Sequence, residues 1–191
     1  MIYARVTRRI GAFLLDYLLI AAYIALLVAV GVSLGFGPLR GAFRALFADP
    51  NRSEFSAFLL LVLPAILYFA LSESSAWQAT WGKRRLGLRV VDRWGGRLSV
   101  PRSLLRSVLK FVPWELTHAC LWRIPGWPLA PATPSPLITA GLVLVWILVG
   151  AYLVTMIVSR THQTVYDWIA GTAVVVAPAE AGQPADARVA A

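Results

Sequence analysis

Apolar and polar positions in this chain come in long blocks rather than at a short period. From Arg8 to Val32 the sequence reads RRIGAFLLDYLLIAAYIALLVAVGV, and after Arg9 about 23 residues carry one charge, Asp16. At a rise of ~1.5 Å per residue such a run crosses a hydrocarbon core of about 30 Å as one helix. The pattern predicts a first span over 10–33. FSAFLLLVLPAILYFALS predicts a second over 55–72, kinked at Pro64. The carbonyl that a mid-helix proline frees must then be met by a neighbour. LITAGLVLVWILVGAYLVTMIV predicts another span over 137–158. SLLRSVLKFVPWELTHACLW, 103–122, is less apolar. Its Arg106 and Lys110 share a face near the start, which suits interfacial first turns and a short or re-entrant crossing.

Between these blocks the polar pattern changes character. Residues 34–54 are broken by Gly35, Gly37, Pro38, Pro50 and Asn51, and 123–136 hold five prolines, so both are loops. Residues 73–102 form a basic loop: from Lys83 to Arg102 it carries Lys83, Arg84, Arg85, Arg89, Arg93, Arg97 and Arg102 against one acid, Asp92. That bias puts the loop on the cytoplasmic side, as Arg5, Arg8 and Arg9 do for the N-terminus. Within it LGLRVV alternates and DRWGG is a turn. A β-hairpin is therefore expected, with RLSV as the returning strand. It would lie at the membrane surface, with Trp77, Trp81 and Trp94 at headgroup depth. Lys83, Arg84, Arg85 and Arg89 would face anionic lipid, at about 1 kcal/mol each. The run VVV at 174–176 reads as a strand that could join this hairpin. Residues 178–191 read as a disordered tail behind a single domain over 1–177.

Composition sharpens the class. Of 191 residues 59% are hydrophobic and 14% charged, whereas a soluble domain is roughly half apolar and a quarter charged. The chain reads as an integral membrane protein, all-α apart from the small hairpin or sheet. The net charge of +9 is no nucleic-acid signature, because the Lys and Arg flank apolar segments. One cysteine, Cys120, excludes an intramolecular disulfide and a multi-cysteine metal site. The first apolar run is too long for a signal-peptide core and reads as retained. The richness in Ala, Arg and Trp suits a prokaryotic source, hence a multi-pass protein of the bacterial cytoplasmic membrane.

Asp16 is the first candidate for chemistry. It lies roughly 10 Å below Arg9 on nearly the same helix face. A carboxylate at that depth costs on the order of 2.5–3.5 kcal/mol facing lipid, so Asp16 should face protein. Two readings stay open: a hydrogen-bonded group that orients helices, or a proton or cation site. Tyr68 could donate to a buried carboxylate or anchor a span end. Glu115 and His118 are three apart and share a helix face. Glu-x-x-His is a metal-ligand spacing in helical bundles, but it occurs once here, and no metal is expected. The pair faces the bundle interior or lies wet. Gly82-Lys83 lacks the remainder of a phosphate-binding loop. No Ser-His-Asp order, nucleophile elbow or cofactor motif is present, so neither an enzyme nor a cofactor is expected.

Three stretches taken in order carry a resemblance. RIGAFLLD in the first span, TWGKRRLGLRVVD in the basic loop and RTHQTVYDWIAGTAVV near the end resemble the RDD family of small bacterial membrane proteins. The family is named for one arginine and two aspartates, which the match puts on Arg9, Asp16 and Asp167. Two departures stand out. Tyr166 precedes Asp167 where the family usually has His, with His162 four residues earlier, and Trp81 stands where a smaller apolar residue is usual. The resemblance implies a role in transport, sodium–proton exchange included. For Arg9 and Asp167 to meet, 103–122 must cross, giving about four spans with both termini cytoplasmic. Two function classes follow. One is a secondary transporter of small cations or solutes coupled to protons, working as a homo-oligomer. The other is a non-transporting assembly, lipid-binding or regulatory protein whose basic loop meets anionic lipid or a partner.

Overall fold

The structure is a computed structural model and describes residues 1–178; the expected tail falls outside the described residues apart from Pro178. Helix α1 runs Val6–Phe36. Short helix α2, Arg40–Ala45, leads to α3, Pro50–Ala57, which Asp49 caps by accepting from the Arg52 amide at 3.0 Å. A π-helical stretch, Phe58–Val62, joins α3 to α4, Leu63–Ser74. Then come α5, Trp81–Arg85; strand β1, Leu88–Asp92; α6, Val100–Leu121; α7, Pro136–Val158; α8, Val165–Ala170; and strand β2, Thr172–Val176. Among the described residues three helices are long and apolar enough to cross a membrane: Val6–Phe36, Pro50–Ser74 and Pro136–Val158. Helix α6 has 22 residues but carries Arg102, Arg106, Lys110 and Glu115, and it is not one of the three.

Two prolines break helix ladders, and the same device answers both. Pro64 has no N–H for the carbonyl of Leu60, four residues back. Tyr23 of α1 donates its hydroxyl to that carbonyl at 2.7 Å. The π-helical stretch lies just ahead of Pro64, where the hydrogen-bond register is disturbed. Pro113 of α6 likewise frees the carbonyl of Leu109. Tyr152 of α7 donates to it at 2.6 Å. In an apolar solvent the hydrophobic effect does not press helices together, so packing and such cross-helix bonds must. Ser103 adds another, donating to the Ala70 carbonyl at 2.8 Å. Around it Val62, Ala65, Ile66, Phe69 and Phe111 form the core between α4 and α6.

The expected hairpin is replaced by a different pairing. β1 pairs antiparallel with β2, from Leu88 opposite Val176 to Asp92 opposite Thr172. The N-terminal lead takes the other edge of β2, with Ala4 donating to the Val174 carbonyl at 3.0 Å and Val176 to the Ile2 carbonyl at 2.9 Å. The turn after Asp92 does form, and Asp92 is bonded across it to Gly96 at 3.0 Å. The RLSV segment does not return as a strand. Ser99 is the N-cap of α6 with proline behind it, so this stretch leads into a helix. Both faces of the sheet are also buried. Leu88, Val90 and Val174 pack on Ala4, Ala12 and Leu98, while Val91, Ala173 and Val175 form the other face. TAVVV can fill both faces of a ladder. RLSV, whose two apolar residues Leu98 and Val100 would share one face and leave Arg97 and Ser99 on the other, cannot.

Candidate functional site

The charged ends of the helices converge on a buried network. Asp167 is placed by a capping box at the start of α8. Thr164 accepts from the Asp167 amide at 3.4 Å, and the Asp167 carboxylate accepts from the Thr164 amide at 3.1 Å. The helix ends at Gly171, in the left-handed conformation at φ 63°, where a side chain would be strained. Thus fixed, Asp167 takes Arg9 of α1 on Oδ2 at 2.7 Å and Arg106 of α6 on Oδ1 at 2.9 Å. Arg9 also donates to the His162 carbonyl. Arg106 spans from Asp167 to Glu73 of α4, with which it is ion-paired. Glu73 Oε1 further accepts from Lys83 at 3.0 Å and Lys110 at 3.4 Å. Lys83 then lies 4.0 Å from Asp16. One run of charges therefore links α1, α4, α5, α6 and α8.

Asp16 is fully buried and held mostly by neutral donors. Its Oδ1 accepts from the Tyr68 hydroxyl at 2.9 Å and from the Gly82 amide at 2.8 Å, and its Oδ2 from Thr80 at 2.5 Å. Tyr68 in turn accepts from the Trp81 amide at 3.0 Å. Glycine is required at 82. A Cβ there would lie 2.2 Å from the Ala12 carbonyl oxygen and 2.9 Å from Asp16 Oδ1. The loop before β1 thus presses its bare backbone onto α1.

All three carboxylates of the network are fully buried. Burial alone would raise the Asp167 carboxyl. Arg106 first and Arg9 second overcome that and hold it well below the usual carboxylate range, with the Thr164 amide adding to the effect. The arginines thus favour the charged form of Asp167. Four basic side chains, Arg9, Lys83, Arg106 and Lys110, meet three acids, Asp16, Glu73 and Asp167, in this network. Lys110 is the most weakly paired. It shares Glu73 Oε1 with Lys83 and rests 3.6 Å from the Phe69 ring centre.

Of the residues singled out from sequence, Arg9, Asp16, Tyr68 and Asp167 are drawn into this end of the molecule. Lys83 is too, which corrects its placement in a lipid-facing loop: it is buried between Glu73, Asp16 and the Phe69 ring. Glu73 supplies the physical reason, since a buried carboxylate needs cations. Arg84 and Arg85 remain outside, stacked on Trp77 and Trp81, and the Arg89 Nε lacks a protein partner. His162 contributes its carbonyl to Arg9 but not its ring, whose Nδ1 lies 3.3 Å from the Met156 carbonyl. Glu115 and His118 lie further along α6, at least five residues beyond Lys110. Among the described residues Glu115 Oε2 and His118 Nδ1 have no hydrogen-bond partner, and His118 meets the Trp114 ring edge-on. Among the described residues no group of three or more His, Cys, Asp or Glu side chains converges to hold a metal.

Sequence reasoning missed Glu73, Arg106 and Lys110 as site residues, and Thr80 and Gly82 as ligands of Asp16. Thr164-x-x-Asp167 was a readable capping signature. The other partners meet only in three dimensions. The RDD family model matches residues 3–171. The chain belongs to the RDD family. The match spans the network from Arg9 to Asp167, so the whole charge cluster lies inside the family region. No curated protein and no solved structure matches the chain. As an RDD protein with three helices of membrane-crossing length, it is a multi-pass membrane-type protein.

Proposed function

We propose that this RDD protein is a non-enzymatic protein of the bacterial cytoplasmic membrane, with both termini cytoplasmic, that engages anionic lipid through its basic loop. One observation carries the reading. Trp77, Trp81 and Trp94 are 64%, 42% and 72% exposed, and each has an arginine over its ring: Arg84 at 3.7 Å, Arg85 at 5.4 Å and Arg93 at 5.1 Å. Amphipathic rings and cations side by side suit the headgroup layer. In this reading the buried network is the brace that holds the loop on the helix ends, and α6 crosses as a fourth, charged span. The test is tryptophan quenching by brominated lipid, with full-length protein in nanodiscs. Brominated anionic lipid should quench more than brominated zwitterionic lipid at low salt. Arg84→Gln with Arg85→Gln should remove the difference. Equal quenching by both lipids in the unaltered protein would overturn the reading.

A second reading has its own support. Asp16 is an acid buried in a 31-residue apolar helix and bonded to a tyrosine hydroxyl, the kind of intramembrane group that proton-coupled carriers of cations or solutes use. Its weakness is that Asp16 is already satisfied by Tyr68, Thr80 and the Gly82 amide. So few spans would also require a homo-oligomer. Proteoliposomes under an imposed pH gradient decide between the two. A cation-dependent change of internal pH, abolished by Asp16→Asn, would establish exchange.

A further inference from the structure

A cavity of about 480 Å³ separates α1 from α6 and α7, within the ~300–1,000 Å³ typical of small-ligand sites. Its lining is divided by chemistry. One end presents Arg9, Lys83, Arg106 and Lys110. The rest is mostly apolar, with Ile20 and Ile24 of α1 and Val145 and Val149 of α7 among its walls. None of the three network carboxylates lines it. Of the four basic side chains Lys110 makes the fewest hydrogen bonds, one, to Glu73. A lysine ammonium has three donors, and only Glu73 takes one from Lys110.

From this we infer that the cavity is a binding site for one anionic phospholipid of the surrounding bilayer. The phosphate sits at Lys110 within the cationic end, and an acyl chain lies along the apolar walls between α1 and α7. The charge pattern fits this occupant. An anionic head meets four basic side chains and none of the network carboxylates along the lining. A small cation would meet the same four basic groups, and a neutral lipid would offer them no counter-charge. The site is separate from the exposed tryptophan face and does not depend on it.

The test is lipid retention by purified full-length protein, read by native mass spectrometry, with phosphatidylglycerol, phosphatidylcholine and inorganic phosphate as probes. One phosphatidylglycerol per chain should be retained, with phosphatidylcholine at least tenfold weaker. Lys110→Met, which removes the basic group with the fewest hydrogen bonds, should weaken phosphatidylglycerol retention about tenfold. Val149→Trp, which fills the apolar part without touching a charge, should weaken it as much. Arg84→Gln with Arg85→Gln should leave that one lipid in place, so failure of the surface reading and failure of this one are told apart. Retention unchanged by both Lys110→Met and Val149→Trp would overturn the inference. So would equal retention of phosphatidylcholine, loss of the lipid in the arginine variant alone, or displacement of the lipid by inorganic phosphate at equal concentration. If Lys110→Met does not fold, Val149→Trp and the lipid comparison still decide.

Discussion

Asp16 and Asp167 are both fully buried aspartates, yet the protein solves the cost of burial in two ways. Asp167 is neutralised: two arginines from two different helices bind its two oxygens. Asp16 is solvated: a tyrosine, a threonine and a bare backbone amide stand in for water, with Lys83 only at 4.0 Å. The first solution couples distant elements and is intolerant, because each arginine depends on the same acid. The second is local to α1, α4 and the loop before β1. It depends on shape more than on charge. Removing the two acids should therefore not cost the same.

The largest expected effect is at Asp167. Asp167→Asn leaves Arg106 and Arg9 short of an anion in a buried site, a loss of about 3–5 kcal/mol by the general behaviour of broken buried pairs. Asp16→Asn keeps size and an acceptor oxygen and should cost less, about 1–3 kcal/mol. Thermal unfolding in detergent orders the two. A larger loss for Asp16→Asn would reverse the contrast. Exchanging charges between Arg9 and Asp167 should not rescue either single variant, because an arginine at 167 would then face Arg106. A cycle of Arg9→Gln and Asp167→Asn is the cleaner probe, and its losses should be far from additive.

Gly82→Ala probes the shape-dependent solution and comes next. Its methyl group would need space already taken by the Ala12 carbonyl and Asp16. The loop must retreat, at about 1–3 kcal/mol, the usual cost of overpacking. Unfolding temperature together with hydrogen exchange at Thr80–Lys83 reads it. Unchanged protection there would show that the loop does not rest on α1.

Parts of this arrangement were legible in the sequence and parts were not, for physical reasons. A helix of membrane length is a one-dimensional property, so the long apolar runs and the depth of Asp16 could be read directly. Arg9 and Asp167 became a pair only through the family resemblance. Glu73 was read as the start of a loop and Arg106 with Lys110 as an interfacial face. Charges that pair across α4, α6 and α8 leave no periodic trace. VVV at 174–176 is legible as a strand able to join LGLRVV, and the ladder closes with it some eighty residues away, but nothing local in the sequence removes RLSV as the partner. Burial on both faces, which decides that choice, is invisible until the surrounding helices are placed.

Acid should expose the same contrast with a smaller amplitude. Asp167 is held well below the ordinary carboxylate range by Arg106 and Arg9, against the opposing effect of burial. A group depressed on folding contributes stability that is full above its unfolded value of about 3.9. The contribution fades as the pH falls through that value toward the lower folded one. The difference in unfolding temperature between the unaltered protein and Asp167→Asn should therefore be constant from about pH 7 to pH 5 and shrink below about pH 4. A difference that grows on acidification would mean that the carboxyl is protonated in the fold and the ion pair is absent.

The smallest expected effect lies away from the charges, at the two proline breaks. Tyr152 donates to the Leu109 carbonyl freed by Pro113, and Tyr23 to the Leu60 carbonyl next to Pro64. Phenylalanine at either site keeps the ring and removes one donor. The carbonyl then stands unpaired in an apolar setting, but cross-helix bonds in membranes are worth only about 0.6 kcal/mol on average and up to ~1.7. Tyr152→Phe and Tyr23→Phe should each lower stability within that range, and their losses should add, since they lie at different breaks. If either cost as much as Asp167→Asn, the apolar half would be held as tightly as the charged end. The contrast would then lie between two kinds of polar bond and not between a braced end and a loosely tied one.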